Sequence, residues 1–490
     1  MQESHLTASL ESLVHGGFFQ AAEKRISQDI QANGNPADTY KRLLYSIYYR
    51  QVANLTKARE ILGLDSIDNN TDPNLVFNYL QASLFSGDYS QASRLISALL
   101  LQHSSPSAPT PKDPLLDHLA RVNSLLATIT NNWSSEVPFA KGVHPTYYSE
   151  SFDNAQLSPS LVSDNPLSIQ KVDAIYCPNT KTWYDIERQQ PIVQLLQPTH
   201  DFSGFFGNAS PNESPDIDRL LQESTHAIDS AALYLPASMH YGHFLTQCGG
   251  YLHPLARSHD LIPFDQSVTC LLGGQLPDQF KQIISMGARR PVVFSELPTS
   301  PLRARNLIVS DCSWVEWHYC NKSYTDIFLN ASNAISSTDV GAINSVDTSP
   351  SHDRIYLSRS RLKAGLRLSV NEVELEQRLE AMGFAIVHPQ ELNLGQLIAL
   401  LNSAKIITGS MGSAMHNILF RSSSVPLTVI NIAHFLPPYN FAMIEAALGI
   451  ANNLYLRASQ ETRSADGSNL LFFDIKKIED GIAAAIEHKH

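Results

Sequence analysis

Residues 405–420, KIITGSMGSAMHNILF, concentrate the groups best suited to holding a phosphate. An apolar run ends in Gly409, Ser410, Gly412 and Ser413 and passes into a segment patterned as a helix beginning at Ser413. Small residues let backbone N–H groups approach a ligand, and a helix start adds partial positive charge, so the turn is a natural seat for a diphosphate. A tight strand-to-helix turn also uses glycine for steric reasons alone, and both readings stand on these residues. A second chemical candidate is the triplet Asp216-Ile217-Asp218, whose spacing suits a divalent ion. It follows Ser-Pro and precedes RLLQES, a place where a carboxylate caps a helix and complements its dipole, which is the better account. The five cysteines, Cys177, Cys248, Cys270, Cys312 and Cys320, show no CxxC pair and no His/Cys spacing for zinc, and are expected to be reduced, mostly buried thiols. No metal centre is expected.

The elements that must position such a turn follow from length and periodicity. A chain of 490 residues exceeds one core and divides into about three domains of roughly 150 residues. Residues 1–132 read as helices with a repeat: Gly17, Phe19, Ala22; Ala53, Leu55, Ala58; Gly87, Tyr89, Ala92, the alanines stepping by 36 and 34. This period resembles tetratricopeptide repeats, which offer a groove for a protein partner or self-association; a generic helical bundle reads equally well. The Ser/Pro stretch at residues 104–114 is a loop, since proline lacks the amide hydrogen and restricts its neighbour. From 133 to 340 short apolar runs (ALYLP, VTCLL, PVVF, NLIVSD) alternate with amphipathic segments, the pattern of βα units and a parallel sheet. Residues 200–216 read as an exposed loop bordering the acceptor. Residues 331–353, rich in Ser, Asn, Thr and Asp, read as the interdomain linker. From 341 to 490 the alternation resumes as RIYLSR, a helix over 370–382, FAIVH, a helix over 394–404, KIITG and PLTVINI. A last helix over 477–487 is expected to pack back on the other α/β domain. The fold class is α/β, with two Rossmann-like domains facing a cleft after an all-α repeat-like domain, and ligands are expected at the carboxyl ends of the strands.

Bulk properties narrow the function. A net charge of −12 excludes a protein built to cover a nucleic-acid backbone, which needs a basic face. The first residues lack a basic region followed by an apolar run, and no stretch of about 18 apolar residues occurs, so a cytoplasmic protein without a membrane span is expected.

The segment from residue 354 to 417 resembles the C-terminal half of glycosyltransferase family 61. The resemblance is carried by Ser358 and Arg359 at a strand end, Arg367 in an Arg-rich turn, Asn371-Glu372 opening a helix, Gly383-Phe384 before a strand, Pro389 and Glu391, Gln396 in a helix, and Gly409 through Asn417. The family's Gly-x-His-Gly-Ala-x-x-x-Asn loop has Met411 here where the family has histidine. A shorter resemblance lies in HYGHFLTQCGGYLHPL, similar to the family's Asn-x-x-His helix with an acid four residues on. His243 takes the histidine place, His240 that of the asparagine and Gln247 that of the acid, with 243 and 247 expected on one helix face.

This resemblance implies the two-domain arrangement called GT-B and an inverting, single-displacement transfer of a sugar from a nucleotide diphosphate, expected to be UDP-linked, to a glycan or protein hydroxyl. No cofactor beyond the nucleotide-sugar substrate is implied. With the acid absent, His243 is the candidate base, because imidazole titrates near neutral pH; a role in ordering the cleft stays open, and His240 is a weaker choice. Arg359 is the candidate for charge on the leaving diphosphate, with Arg361, Lys363 and Arg367 as substitutes. Ser358, Arg361, Glu391, Gly409, Ser410, Met411, Gly412, Ser413 and Asn417 form the expected nucleotide-sugar site, and His240 and Gln247 the acceptor side. Glu391 suits ribose hydroxyls or a helix cap; Asn417 suits the nucleotide or the bracing of its turn. The rival reading is a noncatalytic scaffold, favoured by Met411 and Gln247.

Overall fold

The structure, a computed structural model, describes residues 19–36, 38–51, 60–63, 79, 154–155, 162–163, 167–192, 195, 216–257, 261–315, 319–338, 352–362, 367–434, 439–463 and 469–487. Of the N-terminal repeat region it describes chiefly two helices, Phe19–Asn33 and Thr39–Gln51. The remainder of that expectation, the Ser/Pro loop and residues 200–215 fall outside the described residues.

Two sheets carry the rest. The downstream sheet has six strands in the order Asn154–Ala155, Asn452–Arg457, Thr428–Ala433, Ile406–Ser410, Arg354–Leu357, Ala385–Val387, all parallel except the first. Its register places Leu357, Gly409, Asn431 and Tyr455 in one row. Side chains alternate between faces with period two. Ile407 and Val429 therefore join one core, while Ile406, Ile430 and Ile432 join another with the helices Glu372–Ala381 and Ile475–Glu487. Continuous Val/Ile/Leu runs suit a sheet covered on both faces.

The upstream sheet has seven strands: Gln190–Pro191, Thr182–Asp185, Ile169–Cys177, Leu302–Ser310, His226–Leu235, Val268–Leu272, Val292–Glu296. The last four run parallel as the βα alternation predicts, but Ile169–Cys177 pairs antiparallel with Leu302–Ser310, and Thr182–Asp185 and Gln190–Pro191 follow it outward, each antiparallel to its neighbour. The sheet is therefore mixed. Residues 169–185 form a tight hairpin, with Lys181 at φ 51°, and contain no intervening amphipathic helix that would enforce a crossover.

Two expectations about connections are corrected. Residues 331–338 are not linker but the second half of the helix Asp326–Thr338. Ile327, Phe328, Ala331 and Ile335 recur at helical spacing and are buried, while Asn333, Ser336 and Ser337 face outward and lend the stretch its linker-like composition. This helix reaches the downstream half: Phe328 meets Phe420 edge-on at 5.5 Å, and the Ser332 and Ser422 hydroxyls lie 3.1 Å apart. One hydrophobic core consequently runs through both halves, joining Leu233, Phe244 and Phe328 to Leu357, Leu397 and Phe420. At about 1.5–3 kcal/mol per fully buried large apolar side chain, such a shared core fixes the relative placement of the halves firmly. The final helix, Ile475–Glu487, buries Ile478 and Ile482 against its own sheet rather than the upstream one. Gly481 lets it press on Leu456: a Cβ there would come within 2.6 Å of Cδ2.

Candidate active site

The strand Ile406–Ser410 is the fourth of six in its sheet and buried along its whole length, so the turn after it emerges at the carboxyl edge between two neighbouring strand ends. The turn leads into a 3-10 helix, Met415–Phe420, rather than the α-helix expected from Ser413. Its six residues are all buried, and the Asn417 amide donates from Nδ2 to Ala414 O at 2.8 Å, tightening the turn. A six-residue 3-10 segment offers little dipole, which leaves amides and side chains as the anion-binding groups of the turn.

The turn divides into a structural part and an accessible part. A Cβ on Gly409 would meet Met415 Sδ at 2.7 Å and Leu357 O at 3.1 Å, so this glycine serves packing. Ser410 is buried, with its hydroxyl unpartnered among the described residues. Met411 offers a ligand neither group: its side chain is 1 % exposed in the core and its N–H donates to Ile432 O at 3.0 Å. The expected ligand set narrows accordingly, because the chain stays in the sheet layer through residue 411. Gly412, Ser413 and Ala414 are half-buried, and their amides donate to no other described residue. A Cβ on Gly412 would come within 2.9 Å of Arg359 Nη1, so the guanidinium lies against this part of the turn.

Arg359 leaves the neighbouring strand Arg354–Leu357 and is held by a buried carboxylate. Glu372, 1 % exposed, accepts from Arg359 N at 2.9 Å and from the Tyr356 hydroxyl at 2.8 Å. Ser358 is fully buried and points to the same side, donating to Glu376, which also accepts from the Ser360 hydroxyl. Ser358 thus turns away from the accessible turn and braces the backbone that carries Arg359. Asn371 clips the adjoining helix to the strand Asn469–Phe473 through two 2.9 Å bonds with Phe473. Arg361 and Glu391 pair at 2.8 Å on the surface. They line a cavity of about 520 Å³ at the open edge of the sheet with Glu376, Glu380, His388 and Val387. Glu391 is not a helix cap: Asn393 caps the helix Leu394–Ser403 in a reciprocal pair with Gln396. Arg367 lies on a separate three-stranded sheet; its side chain and Lys363 fall outside the described residues.

Opposite the turn stands the segment 240–251. It is α-helical only over Tyr241–His243, continues as a π-helix over Phe244–Cys248 and ends as a 3-10 turn. The wider π turn removes the expected alignment of His243 with Gln247; His243 is exposed and Gln247 half-buried. His240 caps the segment, its Nδ1 accepting from His243 N at 3.4 Å, as an asparagine oxygen would. The two imidazoles lie 4.7 Å apart. Burial, then His243 and the Arg359 cation, hold the His240 imidazole below its ordinary range. Gly242 marks the contact with the turn: one Cβ position there would lie 3.3 Å from both His240 Cε1 and Ser413 Cβ. The Tyr241 hydroxyl donates to Asn417 Oδ1 at 2.6 Å, so Asn417 braces the turn and ties it to this helix. His240, His243, Arg359, Gly412 and Ser413 are thereby gathered at one place, and Asn417 supports them from beneath. Asp216 caps the helix Ile217–Glu223 by accepting from Arg219 N at 3.0 Å, and this capping role accounts for the acidic triplet.

Sequence reasoning missed Tyr241 and gave no role to Glu372 or Glu376. An aromatic hydroxyl inside the HYGHF segment was the available signal for the first, and a glutamate at an otherwise apolar helix position for the second.

Comparison with known families defines the class: the protein is a glycosyltransferase. The matching model is Glycosyltransferase 61, over residues 241–430, from Tyr241 into the strand Thr428–Ala433. Comparison with curated proteins finds no match for the chain. Among the described residues no helix is long and apolar enough to cross a membrane.

Proposed function

We propose that the protein transfers a sugar, with inversion, from a nucleotide diphosphate to a hydroxyl of a glycan or protein, in a cleft of the GT-B kind and without a metal ion. The observation that carries this reading is the Arg359 guanidinium against Gly412, 2.9 Å from the position of a Cβ there, facing His240 and His243. In the proposed step His243 takes the proton of the acceptor hydroxyl as its oxygen bonds to the anomeric carbon. The bond from that carbon to the diphosphate breaks, and its electron pair goes to the leaving oxygen. The amides of Gly412, Ser413 and Ala414 together with Arg359 then stabilise the charge, which a guanidinium does in a fork and without losing its proton. The nucleoside extends toward the cavity bearing Arg361 and Glu391, where a carboxylate suits ribose hydroxyls, and UDP is the proposed carrier. The N-terminal helices are proposed to recruit a protein acceptor or a second copy of the chain.

Thermal unfolding with UDP, GDP, CMP and dTDP sugars, followed by transfer and hydrolysis assays, tests the proposal. A rise in melting temperature with one base class and turnover of its sugar are expected. Absence of both for every donor would leave a binding scaffold, the reading that Gln247 at the acid position favours.

A further inference from the structure

The two histidines that face the turn differ in the one feature that sets their chemistry, the use of Nδ1. His240 spends its Nδ1 lone pair on the amide of His243, 3.4 Å away, as the cap of the segment. A neutral imidazole that accepts at Nδ1 carries its proton on Nε2 and is a donor there. To act as a base at Nε2 the ring would first have to move its proton to Nδ1 and give up the cap of a helix with only three α-helical residues. The surroundings also oppose its protonation: the His240 ring, though the residue is exposed, lies 4.7 Å from that of His243 and feels the positive charge of Arg359. Its Cε1 edge leans to the turn, since Cε1 and Ser413 Cβ flank the same Cβ position at Gly242.

We propose that His240 is a catalytic residue of the transfer, staying neutral and donating a hydrogen bond from Nε2 to the leaving diphosphate, while His243 alone takes the acceptor proton. This rests on the transferase reading. The step balances: one carbon–oxygen bond forms and one breaks, the proton passes to His243 and then to solvent, and His240 shares a hydrogen bond without giving up its proton. An asparagine at this position would serve both roles, because an amide accepts at the cap through its oxygen and donates through its nitrogen.

Three variants separate the cap from the donor. His240→Asn keeps both, His240→Asp keeps the cap but places an acceptor and a negative charge where the donor stood, and His240→Ala removes both. The Asn variant is expected to hold kcat within about tenfold of the wild type, and the Asp variant to lose about 100-fold or more, the scale of losing one charge-stabilising donor. Melting temperatures of the Asn and Asp variants should agree. Equal activity of these two variants overturns the proposal, whatever its level. The acidic limb of the kcat/KM pH profile should persist in His240→Asn; its disappearance would make His240 the base. Nitrogen chemical shifts of histidine-labelled protein, read without substrate, supply an arm independent of activity: protonated Nε2 and bare Nδ1 are expected at neutral pH, and the opposite tautomer overturns the inference. If no nucleotide sugar binds or turns over while the tautomer is as expected, it is the transferase reading that fails.

Discussion

The Tyr241 hydroxyl donates to Asn417 Oδ1 at 2.6 Å across 176 residues of sequence, tying the helix that carries the histidines to the turn that carries Gly412. Burial raises the Tyr241 pKa well above its usual range, so the hydroxyl remains a donor at any working pH. Its ring packs against Phe280 at 5.6 Å, and a phenylalanine would keep that contact. Tyr241→Phe leaves Asn417 Oδ1 buried without its donor, a loss of about 1–3 kcal/mol. A fall of a few degrees in melting temperature is expected, together with a drop in kcat of roughly tenfold and a smaller change in donor KM, since misplacement of reacting groups is felt mostly in the transition state. An unchanged kcat would mean that this bond is only a fold contact.

Gly409 and Gly412 belong to one turn, and the same substitution in each should fail differently. At Gly409 a methyl group meets Met415 Sδ at 2.7 Å and Leu357 O at 3.1 Å, and the backbone oxygen has no room to retreat. Gly409→Ala is expected to cost about 1–3 kcal/mol of stability as overpacking. At Gly412 the one close contact of the methyl group is the end of the Arg359 side chain, 2.9 Å away, with Ser410 O at an ordinary 3.9 Å, so the fold should survive while the guanidinium is displaced. Chemical denaturation and steady-state kinetics on both variants check this: Gly412→Ala should match Arg359→Ala in direction, with activity down about 100-fold for the latter. If Gly412→Ala unfolds like Gly409→Ala, the division of the turn is mistaken.

Arg361 and Glu391 form an ion pair whose side chains are 60 % and 47 % exposed. Exposed pairs contribute about 0–1 kcal/mol, so neither Glu391→Gln nor Arg361→Ala should move the melting temperature by more than a degree or two. If the nucleoside enters their cavity, Glu391→Gln raises donor KM several-fold at nearly constant kcat, because ribose contacts act alike in ground and transition states. A normal KM would move the nucleoside elsewhere.

Local chemistry was legible in the sequence and long-range pairing was not. Strands 354–357, 406–410 and 428–433 announce themselves as short apolar runs, and their parallel order follows from the helices between them. The Gly409–Asn417 turn was recognisable, but which of its residues face a ligand depends on the sheet layer: Met411 was expected in the ligand set, and the partner that holds its N–H, Ile432, comes from another strand. The helix 326–338 was hidden because its outward face is Ser and Asn, while its inward residues pack on elements both before and after it. The His240 cap is a three-residue interaction and could be read locally; the Tyr241–Asn417 bond could not.

Glu445 offers a pH-dependent test of the downstream core. It is fully buried on the helix Tyr439–Ala447, where its carboxyl accepts from Asn431 Nδ2 at 2.6 Å, Asn453 Nδ2 at 2.7 Å and the Tyr455 hydroxyl. Burial raises its pKa from 4.5 to about 7, and the three donors offset part of that rise. The folded state therefore binds the proton more tightly than the unfolded one. The resulting stabilisation is fully present below about 4.5 and is lost as pH rises through about 7, with a magnitude of at most about 3 kcal/mol. Glu445→Gln removes the titration while keeping the shape, and Asn431 Oδ1, which has no partner among the described residues, is available to accept from the new amide. Denaturation of both proteins between pH 5 and about pH 8.5 should show the wild type losing stability relative to the variant, most steeply between the unfolded and folded pKa values and levelling off above about 7. Parallel curves across that range would place the Glu445 proton equilibrium elsewhere and leave the three donors as the whole of its role.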